Sequence, residues 1–451
     1  MGFRTRIRTR ARVSAAATLA LAAVAGCGSG AGGGSRTVSY WLWDAAQLPA
    51  YQACAKDFEA ANPGLKINIV QVGWNDYWTK LTSGFIAGTQ PDVFTNHLQK
   101  FPQFVDLEVL EPLDGLAATK GIRDADYQPG LGASWKGQDG HRYGAPKDWD
   151  TVGLYFNKKM VREAGVSEKT LNNLDWNPRN GGSFEKTIAH LTIDNKGRRG
   201  DEKGFDKNNV KVYGLATGSS GDADGQSTWS PFTGSTGWHY TDKKAWGTRY
   251  NYDDKKFQTT IAWYFGLAKK GYMPPFTVWS DANPANVQLG AQKAAISING
   301  SWMSKSIYGV KGMKVGTALT PKGPSGQRAT MMNGLADSIT KGAKNKAGAA
   351  KWVAYLASEE CQRTVGKHGI VFPARPGGTE AAIPAFEKQG IDVDAFTKPV
   401  ADKTTFSFPI TNYAADVFAL MKPAMQDIYA NDAPVTGLDT TNDQINFLLS
   451  Q

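Results

Sequence analysis

The feature that most restricts the possible folds is a regular alternation of strand-like and helix-like segments between residues 37 and 97. The strand-like segments are apolar and β-prone, whereas the helix-like segments repeat apolar residues at helical spacing. They are a strand at 37–43, a helix at 49–60, a strand at 65–72, a helix at 76–87 and a short strand beginning at 91–94. This order predicts a parallel sheet covered by helices, and therefore an α/β protein.

Several short motifs follow one another along the chain in a constant order. The first three are ANPG, WNDYWTKL and GTQPDV, all within the alternating segment. The others are LEVLEPL at 107–113, YGAPKDWDTVGLYFNK at 143–158, AISINGSW at 295–302, AGAAKWVAYLASEE at 347–360 and FPAR at 372–375. In this order they resemble the motifs of extracellular solute-binding proteins of family 1, the maltose-binding-protein-like group of ABC importers. Glu108 stands where that family usually has a glycine.

The resemblance implies an α/β fold with two lobes, of the periplasmic-binding-protein type (type II), whose hinge consists of three chain crossings. The crossings are expected near 147–151, 333–336 and 371–374. The N-terminal lobe would comprise residues 37–149 plus 335–371, and the C-terminal lobe residues 150–334 plus 372–451. The resemblance further implies a monomer that binds a sugar and docks on a membrane permease, with no cofactor and no metal.

The first 36 residues indicate export. Five arginines between Arg4 and Arg12 precede a short apolar run at 14–25, which is well below the roughly 20 residues of a membrane-spanning helix. Residues 24–27 read VAGC, which resembles a bacterial lipobox, so residues 1–26 are predicted to be a lipoprotein signal peptide and Cys27 the lipidated N-terminus. The alternative is an ordinary secretory signal. Residues 27–36 form a Gly/Ser-rich tether, and the expected location is the extracellular face of the cell membrane, with a lipid anchor.

Charge and motif content argue against two other classes of protein. The net charge is +10, and half of it belongs to the five leader arginines; the rest shows no basic run, which disfavours nucleic-acid binding. The five histidines have no metal-ligand spacing, and the usual serine-hydrolase, zinc-protease and P-loop motifs are missing from the sequence. We therefore predict no enzymatic activity, with a secreted lipoprotein glycoside hydrolase or lyase as the alternative.

Candidate ligand contacts in the first lobe and hinge are aromatic, acidic and amide residues at strand ends, where open α/β sheets bind ligands. Aromatic rings pack on the C–H faces of sugars, and carboxylates accept hydroxyl hydrogens. These candidates are Trp43, Asp44, Trp74, Asn96, Asp148 and Trp149. Each of three candidates has an alternative structural role. For Asp44 it is a helix N-cap, for Trp43 it is core packing, and for Asp148 it is an ion pair with Lys147 or Lys158.

Candidate contacts in the second lobe come from the resemblance and from the 14 tryptophans and 16 tyrosines of the chain. Trp302 lies in the motif whose tryptophan lines the site in the family, with core packing as its alternative. Trp229 and Trp238 lie in a Gly/Ser/Thr-rich stretch, and at least one of them is expected to face the ligand. The remaining candidates are Asn333, Arg375 and Tyr413.

Cys54 and Cys361 are the only cysteines after Cys27. In an exported protein such a pair can form a disulfide, with two buried thiols as the alternative. The resemblance places both on helices of the first lobe, which favours the disulfide.

The candidate loops carry more acid than base, which favours a neutral sugar, and the expected ligand is a carbohydrate, an oligosaccharide in particular. The alternative ligands are a polyol, a glycerol phosphate or a peptide. A phosphate would require convergent Arg or Lys side chains.

Overall fold

The computed structural model describes residues 36–217, 223–278 and 284–451. The predicted signal peptide, Cys27 and the tether up to residue 35 lie outside the described residues. The strands are β1 Thr37–Leu42, β2 Lys66–Gln71, β3 Val93–His97, β4 Ala145–Asp150, β5 Val152–Asn157, β6 Ile193–Asp194, β7 Val210–Leu215, β8 Ala294–Gly300, β9 Val315–Ala318, β10 Thr330–Ile339, β11 Phe372–Pro373 and β12 Thr405–Ser407.

The helices cover and connect these strands. They are α1 Leu48–Ala61, α2 Trp74–Ala87, α3 Phe101–Asp106, α4 Lys158–Glu163, α5 Glu168–Leu171, α6 Gly182–Leu191, α7 Ser230–Ser235, α8 Lys255–Lys269, α9 Ala285–Gly290, α10 Ser304–Tyr308, α11 Lys346–Leu356, α12 Glu359–Gly366, α13 Pro376–Lys388, α14 Asp394–Ala401, α15 Ala414–Ala430 and α16 Gly437–Leu449. None of the helices in the described ranges is both long and apolar enough to cross a bilayer.

The strands form two sheets, and the elements built on each sheet are called the first lobe and the second lobe. The first sheet has the order β11-β4-β10-β3-β1-β2, with β12 pairing alongside β10. The second sheet has the order β6-β7-β8-β5-β9. In the first sheet β1 pairs in parallel with both β2 and β3, so the predicted parallel sheet and the two-lobed α/β fold are confirmed.

The alternating segment folds as its sequence predicts because its termination signals are strong. Helix α1 begins one residue before the predicted helix and ends at the Asn-Pro-Gly turn, where Gly64 adopts a φ of 92°. Helix α2 ends at Gly88, a left-handed C-cap whose N–H donates to the carbonyl of Gly84. These short connections bring the carboxyl ends of β1, β2 and β3 to one edge of the sheet.

The first hinge crossing is visible where the chain passes directly from one sheet to the other. Strand β4 ends in the first sheet at Asp150, and β5 begins in the second sheet at Val152. Strand β10 pairs with both β3 and β4, and β11 pairs with β4. The lobe boundaries expected at 149/150, 334/335 and 371/372 stay predictions, because strand pairing does not assign the loops.

A disulfide joins Cys54 of α1 to Cys361 of α12, on one face of the first sheet. Both cysteines lie in an apolar core that also contains Tyr40, Tyr51 and Trp352. The bridge spans 307 residues of sequence. For a loop of this length the chain-entropy model gives a stabilisation of about 6 kcal/mol.

Candidate functional site

Aromatic rings gather where β1, β2 and β3 end. Trp43 follows β1, and its ring centroid lies 5.1 Å from that of Trp74, which opens α2. The Trp74 ring lies 5.7 Å from the ring of His97, the last residue of β3. Trp74 is 41% exposed, so this cluster reaches solvent. Three parallel strands thus place a partly open aromatic surface at one sheet edge, as expected for a ligand site in an open α/β sheet.

The segment after β12 adds a ring to this surface. The ring of Phe408 lies 5.8 Å from that of His97, nearly perpendicular to it. Trp43, Trp74, His97 and Phe408 are called the aromatic surface below. It is therefore assembled from chain segments more than 300 residues apart.

Strand alternation decides which polar residues face this edge. On β3, Asn96 points the other way: its Nδ2 donates to Ser338 Oγ at 3.2 Å inside the sheet, and its Oδ1 accepts from the His97 N–H. The next residue, His97, carries its ring to the edge because successive side chains on a strand alternate in direction. The predicted ligand contact at Asn96 is not supported by this placement, and His97 occupies the position instead.

The same alternation separates Trp149 from its two acidic neighbours. Trp149 is buried, stacks on Phe372 with ring centroids 4.6 Å apart, and donates to Thr379 Oγ1 at 3.0 Å. Asp150 instead accepts from Gln226 Nε2 at 3.0 Å and lies 3.4 Å from Asn333 Nδ2. Trp149 therefore belongs to the interior, while Asp150 joins the hinge to a loop of the second lobe.

Asp148 and Lys147 lie together inside the hinge, because the β4–β10 register shifts at this point of the strand. Lys147 Nζ donates to Gln47 Oε1 at 2.8 Å, lies 4.2 Å above the Tyr51 ring, and is 3.8 Å from Asp148 Oδ2. Burial raises the pKa of Asp148 to about 6, and the Lys147 charge opposes this rise. The predicted alternative for Asp148, an ion pair with Lys147, describes this geometry.

Asp337 shares the same buried surroundings. It accepts a 2.8 Å hydrogen bond from Tyr40 Oη, and burial raises its pKa to about 6, again with Lys147 opposing. Asp44 is half-buried, and its Oδ1 accepts from the Ala46 N–H at 2.8 Å within the turn before α1. The helix N-cap that was its alternative role falls to Gln47 instead. The charge of Asp44 contributes to the raised pKa of Asp148, so the two carboxylates are near each other.

A direct bridge connects the two lobes beside the aromatic surface. Gln99 Nε2, two residues after β3, donates to Asp224 Oδ2 at 3.0 Å, and Asp224 Oδ1 accepts from the Gln226 N–H at 3.1 Å. Tyr240 Oη donates to the Asp224 carbonyl. Burial raises the pKa of Asp224 to about 6, with the bond from Gln226 and the charge of Lys100 lowering it. The two lobes therefore contact each other through hydrogen bonds at this point.

The remaining predicted contacts have other surroundings. Trp229 and Trp238 pack in the second-lobe core, where both rings meet Phe257, which does not favour a ligand contact for either of them. Arg375 Nε donates to the Ala357 carbonyl at 2.6 Å, and an Arg375 nitrogen lies 3.6 Å from Asp126, so Arg375 ties the end of α11 to the start of α13 and to Asp126. Trp302 is half-buried, and Tyr413 is 36% exposed. For these last two, ligand contact stays a prediction.

The structure brings Trp43, Trp74, Asn333 and the hinge acids together, and it adds residues that sequence reasoning missed. These additions are His97, Gln99, Asp150, Asp224, Gln226 and Phe408. Strand alternation from Thr95 could have identified His97. Asp150 ends β4 and the others lie in loops, and only their long-range packing reveals them.

The raised pKa values predict how stability depends on pH. An acid whose pKa is higher in the folded than in the unfolded chain binds more protons when folded, so its contribution to stability is lost as pH rises. Asp148, Asp224 and Asp337 all have a pKa of about 6. We expect the free energy of unfolding in urea to fall from about pH 4 to about pH 6, by up to about 3 kcal/mol for each group. A constant or rising free energy over this range would contradict the buried positions of these acids.

Comparison with known proteins adds a family and a fold. The family model described as bacterial extracellular solute-binding protein matches residues 44–363. A putative binding protein of Brucella abortus (strain 2308) is 31% identical over 124 residues, which are 28% of this chain and 29% of that relative. The chain thus matches less than a third of the length of this relative.

Solved structures match over nearly the whole chain. An ABC substrate-binding protein from Listeria monocytogenes, solved in complex with cycloalternan, is 17% identical with a TM-score of 0.75, covering 92% of this chain and 99% of that one. UgpB from Mycobacterium tuberculosis, solved in complex with glycerophosphocholine, is 16% identical with a TM-score of 0.74, covering 92% of this chain and 98% of that one. These similarities establish the fold.

Proposed function

The chain belongs to the bacterial extracellular solute-binding proteins, and on that premise we propose that it captures a carbohydrate outside the cell and delivers it to the permease of an ABC importer. Within the carbohydrates we propose an oligosaccharide, because the aromatic surface has several rings rather than one. The similar protein from Listeria monocytogenes was solved with cycloalternan, which is compatible with this proposal.

The aromatic surface beside buried acids and amides is the observation that carries the proposal. Sugar rings present C–H faces that pack on aromatic rings, and their hydroxyls hydrogen-bond to carboxylates and amides. Trp74 offers an exposed ring, and the Gln99–Asp224 pair next to His97 offers both amide and carboxylate groups. This combination suits a polyhydroxylated ligand better than an apolar one.

The charge of the site favours a neutral ligand over a phosphate. Asp148 lies at the hinge and Asp224 in the inter-lobe bridge, whereas Lys147 is already engaged by Gln47 and Tyr51. A phosphate would add negative charge beside these carboxyl groups, at a cost that a sugar avoids. The glycerophosphocholine bound by UgpB therefore serves as a comparison ligand in the test below.

Ligand capture would use the hinge between the two sheets. The closed arrangement is held by contacts such as Gln99–Asp224, and a ligand that binds this arrangement better than the open one would stabilise it. The closed complex would then dock on the permease. We further propose that the protein acts as a monomer, attached to the membrane through a lipid on Cys27.

A thermal-shift screen tests the proposal. The purified protein is heated with mono- and oligosaccharides and, as matched comparisons, with a polyol, a glycerol phosphate and a short peptide. A carbohydrate present at 100 times its Kd should add about 2.7 kcal/mol of stability and raise Tm, because it binds only the folded protein. Stabilisation by the phosphate or the peptide alone would contradict the carbohydrate proposal.

The screen also separates binding from hydrolysis or lyase chemistry. A solute-binding protein should leave the stabilising sugar chemically unchanged after prolonged incubation. Chromatography of the incubated sugar checks this, and shortened or unsaturated products would indicate an enzyme.

A further inference from the structure

The polar residues at the hinge form one continuous chain of contacts that links the lobes. It runs from Gln226 through Asp150 and Asn333 to His97, and from His97 to the backbone of Gln99. Gln99 in turn reaches Asp224 across the cleft. These residues are called the hinge relay below. Its members come from β3, β4, β10 and a loop of the second lobe, so it crosses the hinge.

The hydrogen-bond donors and acceptors of the relay determine which of its atoms carry protons. His97 Nδ1 accepts from the Gln99 N–H at 3.0 Å, so the proton of a neutral His97 is on Nε2. His97 Nε2 lies 2.9 Å from Asn333 Nδ2, which would place two donors face to face. Burial lowers the pKa of His97 to about 3, which keeps the ring neutral.

A half-turn of the Asn333 amide removes this conflict. Asn333 Oδ1, which is buried without a hydrogen-bond partner among the described residues, then accepts from His97 Nε2–H. After the half-turn, Asn333 Oδ1 takes the place of Nδ2, which lay 3.4 Å from Asp150 Oδ2. Two acceptors at this distance repel unless the Asp150 carboxyl carries a proton and donates it to Asn333.

The ionised form of Asp150 requires the opposite arrangement. Asn333 Nδ2 then donates to Asp150 and to His97 Nε2, so the His97 proton must sit on Nδ1. That proton faces the Gln99 N–H, and the bond that holds the Gln99 backbone is lost. When Asp150 becomes protonated, it takes one proton from solvent. His97 stays neutral and moves its own proton from Nδ1 to Nε2.

We propose that protonation of Asp150 locks the two lobes together, because the hinge relay then positions Gln99 to bridge to Asp224. The inference rests on the proposed closure of the lobes around a ligand, and it adds that closure takes up protons and is favoured by acid. Burial and the charge of Asp148 both raise the pKa of Asp150 well above its usual range, in agreement with this assignment.

The groups that face the relay are few among the described residues. Asp148 is the charged neighbour of Asp150, and Lys100 is the charged neighbour of both His97 and Asp224. The carboxyl group of Asp224 accepts from Gln99 Nε2 through one oxygen and from the Gln226 N–H through the other, so the bridge uses the ionised form of Asp224. The phenols near Asp224 belong to Tyr240, Tyr250 and Tyr252, and their pKa values are raised by burial, so they stay neutral in this range.

Hydrogen–deuterium exchange at the Gln99 N–H tests the proposal without any ligand. After correction for intrinsic exchange, protection in the purified protein should fall at least about tenfold between about pH 5 and about pH 9. Asp150→Asn imitates the protonated acid, since its amide can donate to Asn333 and accept from Gln226, and should keep high protection throughout. Asp57→Asn, on the exposed face of α1, is the matched control and should follow the unmodified protein.

A second variant keeps the test decisive if Asp150→Asn folds poorly. Asn333→Ala removes the amide that couples Asp150 to His97, so protection of the Gln99 N–H should no longer depend on pH, while circular dichroism verifies the fold. Equal protection at the two ends of the pH range in the unmodified protein would overturn the proposal. So would a pH profile of Asp150→Asn that matches the unmodified protein. The exchange experiment contains no sugar. A negative exchange result therefore refutes the hinge relay, whereas a negative sugar screen refutes the proposed function.

Discussion

Lys147→Met is expected to lower the free energy of unfolding by about 3–5 kcal/mol near neutral pH, the cost of removing one partner from a buried charge pair. Met has nearly the length of Lys but no charge and no donor. The change leaves Gln47 Oε1 without its 2.8 Å donor and removes the cation that opposes the raised pKa of both Asp148 and Asp337. Guanidinium unfolding at pH 7 measures the loss.

The pH dependence of this loss identifies its cause. Below about pH 5 Asp148 and Asp337 are mostly protonated, so the missing cation costs less and the difference between variant and unmodified protein should shrink. Lys80→Met, on the exposed side of α2, is the control and should change stability by less than about 0.5 kcal/mol. A Lys147→Met variant as stable as this control at pH 7 would mean that Lys147 does not compensate the buried acids.

Much of the fold was predictable because local signals and the order of elements agree. The Asn-Pro-Gly turn and the left-handed Gly88 end α1 and α2 close to where their sequences predict. The family predicted from the motif order is confirmed by the match over residues 44–363. The structure also joins Cys54 to Cys361, as the resemblance implied. Neither the pairing of β10 with β4 nor the position of β12 has a local signal, since both depend on long-range contacts.

The site was less predictable, because one residue of register on a strand exchanges the two faces of the sheet. Asn96 and Trp149 were plausible contacts by residue type, yet their neighbours His97 and Asp150 are the ones that join the relay. Trp229 and Trp238 lie in a stretch with little apolar content of its own. They are buried because Phe257 of α8 packs on them from another part of the chain.

The largest functional effects are expected from single changes on the two sides of the cleft. Trp74→Ala removes an exposed ring of the aromatic surface, and Asp224→Asn removes a carboxylate of the second lobe. Loss of a packed ring or of a charged hydrogen-bond partner costs about 1.5–3 kcal/mol, so each variant should bind the sugar found in the screen about 10- to 100-fold more weakly. Asp57→Asn should bind like the unmodified protein.

Isothermal titration calorimetry of that sugar with these three variants is the most direct measurement of whether both lobes contribute to one carbohydrate site. We predict that Trp74→Ala and Asp224→Asn both lose affinity. Their unfolding free energies should remain high enough to keep both variants folded. Unchanged affinity in either variant would mean that the ligand contacts one lobe only, and the account of a shared, closing cleft would be wrong.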